Sequence, residues 1–452
     1  MSITGKDLIK MGYAPAPWFS RVIKHAVDIA DAKRLAEQEI AMIPKKIAMQ
    51  EPVAYSVFME PDSHEEKENL ASVVRTMDIL VRTPTVRSAY VMPDACPAGP
   101  DGTIPVGGVV ETENAIHPGM HSADICCSLM LTEFEGASPA EVLDAIHEVT
   151  HFGPGGRHKP FSIGMSLGLV NKIWNNKFLE DKKSVEFAIK HFATQGDGNH
   201  FSYVGVRKST GRTVLVTHHG SRGFGALLYK RGMRLAEKFR KEICPDVLKQ
   251  NAWIPADTWE GVQYWRALQV VREWTKQSHQ ALHTLVGVRT GATAVDNFWN
   301  EHNFVFRDGD RFWHAKGATP VWSEFLPDTN GLQTVPLQIV PMNMAEPILL
   351  INGEDGGVGF APHGAGRNMS RTAHKGLQVG SDAEVFECET AGIDARFWCG
   401  EIDTSELPSA YKSADKVRSD MHGFGLARVI DEVMPYGSIM AGDVMKNAPW
   451  RK

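Results

Sequence analysis

Residues 301–316 read EHNFVFRDGDRFWHAK. Two alternating runs, FVFR and RFWH, flank Asp308-Gly309, and an aspartate-glycine pair between such runs is a strong hairpin signal. The stretch predicts a β-hairpin over 304–316, with His302 and Asn303 at its mouth. Upstream, Asp257 and Glu260 open a long amphipathic helix through Trp265, Leu268, Val271 and Trp274. Ser138, Pro139 and Glu141 form a capping box with proline at the first helical position, followed at helical spacing by Val142, Leu143, Ile146 and Val149. Residues 213–217 and 337–340 are short β-rich runs. Helices and strands mix without a βαβ rhythm, which points to an α+β fold. No Pro/Ser-rich linker, low-complexity tract or internal repeat marks a boundary, so 1–452 reads as a single large domain.

Bulk properties exclude several classes. No run of about 18 apolar residues is present, so no membrane span is expected. The opening MSITGKDLIKMGYAPAPW lacks the apolar core of a signal peptide, and a cytoplasmic location is the expectation. Cys96, Cys126, Cys127, Cys244, Cys388 and Cys399 are too sparse for a disulfide framework, and no CxxC pair suggests a zinc finger. A net charge of −6 argues against a protein that coats nucleic acid non-specifically. Three basic runs remain candidates for a local groove: Arg157-His158-Lys159; Arg207, Lys208 and Arg212; and Lys230, Arg231, Arg234, Lys238, Arg240 and Lys241. A solvated face is the commoner fate of each.

Glycine gathers around polar, reactive residues: HPGMH, GDGNH, HHGSRGFG and HGAGR. Such loops let backbone approach a ligand closely. In Ala123-Asp124-Ile125-Cys126-Cys127 a carboxylate and a thiol three residues apart can reach one metal cluster, although a free cysteine is more often a small buried hydrophobe. His200, His218 and His302 each sit beside glycine, asparagine or a second histidine, and a mixed thiolate, imidazole and carboxylate set leaves the metal open. His219 and His314 read as core histidines. His363 stands on a glycine loop with Arg367 and Arg371 nearby. Imidazole attacks phosphorus well, arginines can grip phosphate oxygens, and the loop's N–H groups can cradle an anion.

Together these fragments resemble the RtcB-type RNA ligases. The similarity keeps its order between residues 88 and 371, through IPVGGV (104–109), AIHPGMHSADICC (115–127), FGPGGR (152–157), GDGNHF (196–201), HHGSRGFG (218–225), EHN (301–303), HAKGAT (314–319) and HGAGRNMSR (363–371). The resemblance implies a single large α+β domain around a central metal cleft. It implies two manganese ions on Asp124, Cys127, His200, His218 and His302, and His363 as the residue guanylylated by GTP. Nucleotide contacts fall on Asn199, His200, Asn303, Asn343, His363, Gly364, Ala365 and Gly366. The implied reaction joins an RNA 3′-phosphate or 2′,3′-cyclic phosphate end to a 5′-hydroxyl end in RNA repair or tRNA splicing, in some members with an archease activator.

The sequence also departs from the family. Tyr203 stands where a carboxylate is usual after GNHF. Pro341-Met342-Asn343-Met344 replaces a PGSM loop. Near the end, Ala441-Gly442 replaces a lysine-glycine, with Lys446 close by. Asp94-Ala95-Cys96 lacks a histidine after the aspartate. These changes fall on the nucleotide side and keep open a second reading, a metal-dependent RNA-end-processing or RNA-binding paralog that does not ligate.

Overall fold

The computed structural model describes residues 3–41, 46–322 and 337–444. Helices and sheets are mixed, as the α+β reading expects. The central element is an eight-stranded sheet made of β1 (Ser128–Glu135), β2 (Phe201–Arg207), β3 (Thr213–His219), β4 (Thr293–Glu301), β5 (Gln338–Val340), β6 (Ile348–Gly353), β7 (Asp394–Phe397) and β8 (Ala427–Met440). The antiparallel order is β5-β6-β8-β2-β3-β1-β4, and β7 joins β8 in parallel. The two ends of this sheet meet. Asn300 on β4 accepts from the Ile339 N–H at 2.9 Å and its amide donates to the Ile339 carbonyl at 3.4 Å, which nearly closes the sheet.

Side chains alternate across a strand. Leu129 and Leu131, Tyr203, Val214 and Val216, Phe298, Ile339, Ile348 and Leu350, and Val433 therefore share the inner face and form one buried cluster. Met130, Phe134, Val204, Leu215 and Trp299 point the other way, into a larger core. That core is completed by α1 (Pro139–Val149), α2 (Arg222–Ile243) and α3 (Trp259–Thr290). Each large apolar side chain so buried contributes roughly 1.5–3 kcal/mol. A second sheet runs in the order Tyr55–Val57, Val86–Cys96, Val106–Glu113, Arg311–Lys316, Asn303–Asp308.

The expected elements form. In α1, Ser138 Oγ accepts from the Glu141 N–H and Glu141 accepts from the Ser138 N–H at 2.8 Å, a reciprocal capping box. The long helix starts one residue later than Asp257 suggests: Thr258 caps it by accepting from the Gly261 N–H at 3.0 Å. It ends at Gly291, whose φ of 70° is left-handed. In the hairpin Asp308 pairs with Arg311, so the two loop residues are Gly309 and Asp310. The run Arg207, Lys208 and Arg212 is not a groove. Arg207 bridges Glu133, Asp296 and Asp431, Lys208 pairs with Glu432, and Arg212 pairs with Glu133. Among the described residues no helix is long and apolar enough to cross a membrane.

Candidate active site

Strand alternation also decides what sits at the mouth of the nearly closed sheet. Cys127 continues the inward series of Leu129 and Leu131. His218 continues Val214 and Val216, and His302 continues Phe298 and Asn300. The apolar series thus ends in ligand-type side chains at one rim. Register brings them together, since Phe201 pairs with His218, Leu129 with His218, and Ser128 with Glu301. His302 lies where β4 leaves the large sheet and the hairpin of the second sheet begins. Its N–H donates to the Cys127 carbonyl at 2.9 Å, and the Cys126 N–H donates to the Asn303 carbonyl at 2.7 Å. Cys126 adopts a left-handed φ of 59°, a strained conformation for a side-chain-bearing residue, in the tight turn that presents Asp124 and Cys127 together.

The contacts within the cluster are short. Cys127 Sγ lies 3.4 Å from His200 Nε2 and 3.1 Å from His218 Nε2. His200 Nε2 is 3.0 Å from Asp124 Oδ2, and His218 Nε2 is 3.2 Å from His302 Nε2. The His218 Nδ1–H donates to the Asn199 carbonyl at 3.1 Å, so the proton is on Nδ1 and the Nε2 lone pair faces the cluster. Burial, with the neighbouring histidines, pushes His218 and His302 well below the ordinary imidazole range, which keeps them neutral. Burial and the Asp124 charge push the Cys127 thiol up. Desolvation works against the Asp124 carboxylate, but the hydrogen bond and charge of His200, with Arg222, bring it down to about 2.

These residues fit a divalent transition metal. Ligand atoms of Cys127, His200 and His218 all lie within 4.8 Å of one another, and all three residues are buried. Lone pairs of nitrogen, sulfur and oxygen converge with few protons among them, an arrangement that a cation satisfies and that would ionise the thiol.

The same rim opens into a cavity of about 310 Å³, at the small end for ligand sites. Asp124, Cys127, His218 and His302 form one wall, and His363, Gly364, Ala365, Gly366 and Arg367 form another. Asn199, Asn303 and Asn343 also line it, whereas His200 sits behind Asp124 and Cys127. The ring centroids of His302 and His363 are 4.9 Å apart. The sequence therefore names residues of both walls, and the fold brings them into one cavity.

A further residue is Asp94, present in the sequence reading only as the start of a departure. Its side chain is fully buried. Its Oδ2 accepts from His363 Nδ1 at 2.5 Å and from the His363 backbone N–H at 3.1 Å. Beneath it, Lys412 is buried and its ammonium donates to the carbonyls of Pro93 and Ala95. An aspartate 269 positions from its histidine leaves no local spacing signal. Lys316 is a second such residue. It lines the cavity, its ammonium donates to the Ile104 carbonyl at 3.1 Å, and burial pulls its pKa down to about 8.

Three details differ from expectation. Arg367 and Arg371 both pair with the buried Glu406, at 2.6 and 2.7 Å, so each carries a carboxylate partner within the fold as well as its place near the cavity. They brace the loop that carries His363. Tyr203 is buried at the cavity's inner end, and its hydroxyl donates to the Val433 carbonyl at 2.9 Å. Ala441 is tied by its carbonyl to the Cys399 N–H, and Lys446 lies outside the described residues. His219 and His314 are core histidines as expected: His219 stacks on His279 at 3.5 Å, and His314 Nε2 accepts from the His117 N–H at 2.8 Å.

Comparison with known proteins adds a family. Residues 168–441, more than half of the chain, match the RtcB family, described as tRNA-splicing ligase RtcB. The chain belongs to this family. A tRNA-splicing ligase RtcB from Aeropyrum pernix is 26% identical over 429 residues, covering 77% of this chain and 87% of that protein. One from Nanoarchaeum equitans is 23% identical over 487 residues, covering 90% of this chain and 98% of that protein. Such identities mark a divergent RtcB member. Asp124 and Cys127 precede the matched stretch, and the contacts above join them to its histidines.

Proposed function

We propose that this chain is a manganese- and GTP-dependent RNA ligase, joining an RNA 3′-phosphate or 2′,3′-cyclic phosphate end to a 5′-hydroxyl through a covalent His363–GMP. One observation carries the reading: an Asp94-oriented histidine lies in one cavity beside a buried donor cluster of the kind that holds transition metals. The family membership agrees with it.

Asp94 holds the proton on His363 Nδ1, so the Nε2 lone pair is the nucleophile. Nε2 attacks the α-phosphorus of GTP, a P–N bond forms, the P–O bond to the leaving group breaks, and pyrophosphate departs. The ring gains positive character in this step, and the buried Asp94 carboxylate stabilises it. A 2′,3′-cyclic end is first opened by water, which breaks the P–O2′ bond and leaves a 3′-phosphate. An oxygen of the RNA 3′-phosphate then attacks the phosphorus held on Nε2, and the P–N bond breaks. The 5′-hydroxyl oxygen finally attacks the 3′-phosphate, losing its proton, and GMP leaves. Asp124, Cys127, His200, His218 and His302 would hold two manganese ions, which when bound supply charge neutralisation and alignment of the phosphates. The Lys316 ammonium attracts the triphosphate, and N–H groups of the 364–366 loop cradle it.

A second reading, RNA-end processing without sealing, draws on Tyr203. A phenol stands there in place of a carboxylate, and its hydroxyl is spent on a backbone carbonyl, so the position offers a base no charged acceptor. Incubation with manganese and α-labelled GTP tests the first reading. It expects an acid-labile, alkali-stable adduct on the protein. Absence of an adduct with both metals bound would overturn it, and label surviving His363→Ala would overturn the choice of nucleophile.

A further inference from the structure

The basic run Arg157-His158-Lys159 has no part in the reaction above, yet it lines a second cleft of about 350 Å³ with His151, Phe161 and Trp398. None of the residues lining this cleft is acidic, in a chain whose net charge is −6. Arg157 is fixed in place, its guanidinium donating to the carbonyls of Val149 and Ala193 at 2.8 and 2.7 Å and lying 4.5 Å over the Phe161 ring. Its Nε is buried without a partner. His151 meets Trp398 edge-on at 5.2 Å.

Backbone hydrogen bonds tie the surroundings of this cleft to those of the main cavity at two places. Phe152 bridges Gly196, and the Gly153 N–H donates to the Gly196 carbonyl at 2.6 Å, a short step before Asn199 and His200. On the other side the Trp398 N–H donates to the carbonyl of Met440, a residue that lines the main cavity. Arg222 spans the interval, with its guanidinium on the Gly153 carbonyl and its charge acting on Asp124.

One anchored guanidinium and an exposed lysine beside aromatic rings, with no carboxylate in the lining, are the surface chemistry that holds single-stranded nucleic acid: rings stack bases, and cations take phosphates. We infer that this cleft receives a nucleotide of single-stranded RNA next to its reacting end, with the base against Phe161 and Trp398 and the phosphate against Arg157, His158 and Lys159. The inference rests on the ligase reading, since it names where that site's RNA runs.

The test uses the full chain and a fluorescent single-stranded RNA of about ten nucleotides ending in a 3′-phosphate, with binding read by anisotropy. Phe161→Ala and Lys159→Glu each weaken binding about tenfold, and Lys159→Glu also flattens the salt dependence. GTP labelling of His363, which needs no RNA, is measured in parallel on the same preparations and stays at the unmodified level. Unchanged RNA affinity in both variants overturns the inference and leaves the ligase reading standing. Loss from Lys159→Glu with none from Phe161→Ala overturns the stacked base. Equal competition by polyglutamate would make this an acidic-peptide site and overturn it too. Failure of the unmodified protein to label with GTP overturns the ligase reading instead.

Discussion

Replacing Asp94 by asparagine isolates the group that sets the state of His363. The amide keeps the shape of the carboxylate and can still accept from the His363 backbone N–H. The charge is lost, and the 2.5 Å bond from Nδ1–H is no longer charge-assisted. A hydrogen bond to a charged group contributes about 1.5–3 kcal/mol. A unit positive charge developing on the ring about 4 Å from a carboxylate gains about 4 kcal/mol at an effective dielectric near 20. The two overlap, so a loss of about 3–4 kcal/mol is expected, or roughly 10²- to 10³-fold in rate. An amide turned to donate to Nδ1 would also force the proton onto Nε2 and remove the nucleophile. The assay is single-turnover labelling with α-labelled GTP and manganese, resolved on a denaturing gel. Asp94 also faces the buried Lys412, whose burial lowers its pKa while the Asp94 charge raises it. Thermal unfolding is therefore measured alongside, and a modest fall in Tm is expected. Labelling at the unmodified rate in a folded Asp94→Asn protein would show that the Asp94 charge does not assist the attack.

Cys127→Ala lowers manganese affinity at least tenfold by calorimetry, because loss of even a supporting group at a metal site costs 10–100-fold; unaltered affinity removes Cys127 from the ligand set. Burial holds Lys316 near a pKa of about 8, so its ammonium is present below that pH and lost above it. The KM for GTP in the labelling step accordingly rises as pH passes 8, and Lys316→Met raises it at pH 7 and abolishes that alkaline limb. Asn300→Ala removes both hydrogen bonds that nearly close the sheet and strands the Ile339 backbone, at a cost of about 1–3 kcal/mol in denaturant unfolding.

Local chemistry made much of this legible in advance. A capping box placed the helix at Pro139, and an aspartate-glycine turn between alternating runs placed the hairpin after His302. Candidate ligands stood out because each histidine interrupts a glycine- or β-rich context. Their convergence was not local. It depends on strand register, which sets Cys127, His218 and His302 on one inward-facing rim, and on closure through Asn300, whose partner is 39 residues away. The role of Asp94 was hidden for the same reason, since only the folded chain brings it to His363. The ion pairs of Arg367 and Arg371 were hidden as well, because their partner, Glu406, comes from a distant 3₁₀ turn that no spacing rule predicts.

The central claim is that His363 carries the nucleotide. Mass spectrometry of the protein after reaction with manganese and GTP, followed by peptide mapping under alkaline conditions, tests it most directly. One GMP per chain is expected on the peptide containing His363, absent from His363→Ala while that variant still binds manganese. GMP on any other residue, or no adduct in a protein with its metals bound, would contradict it.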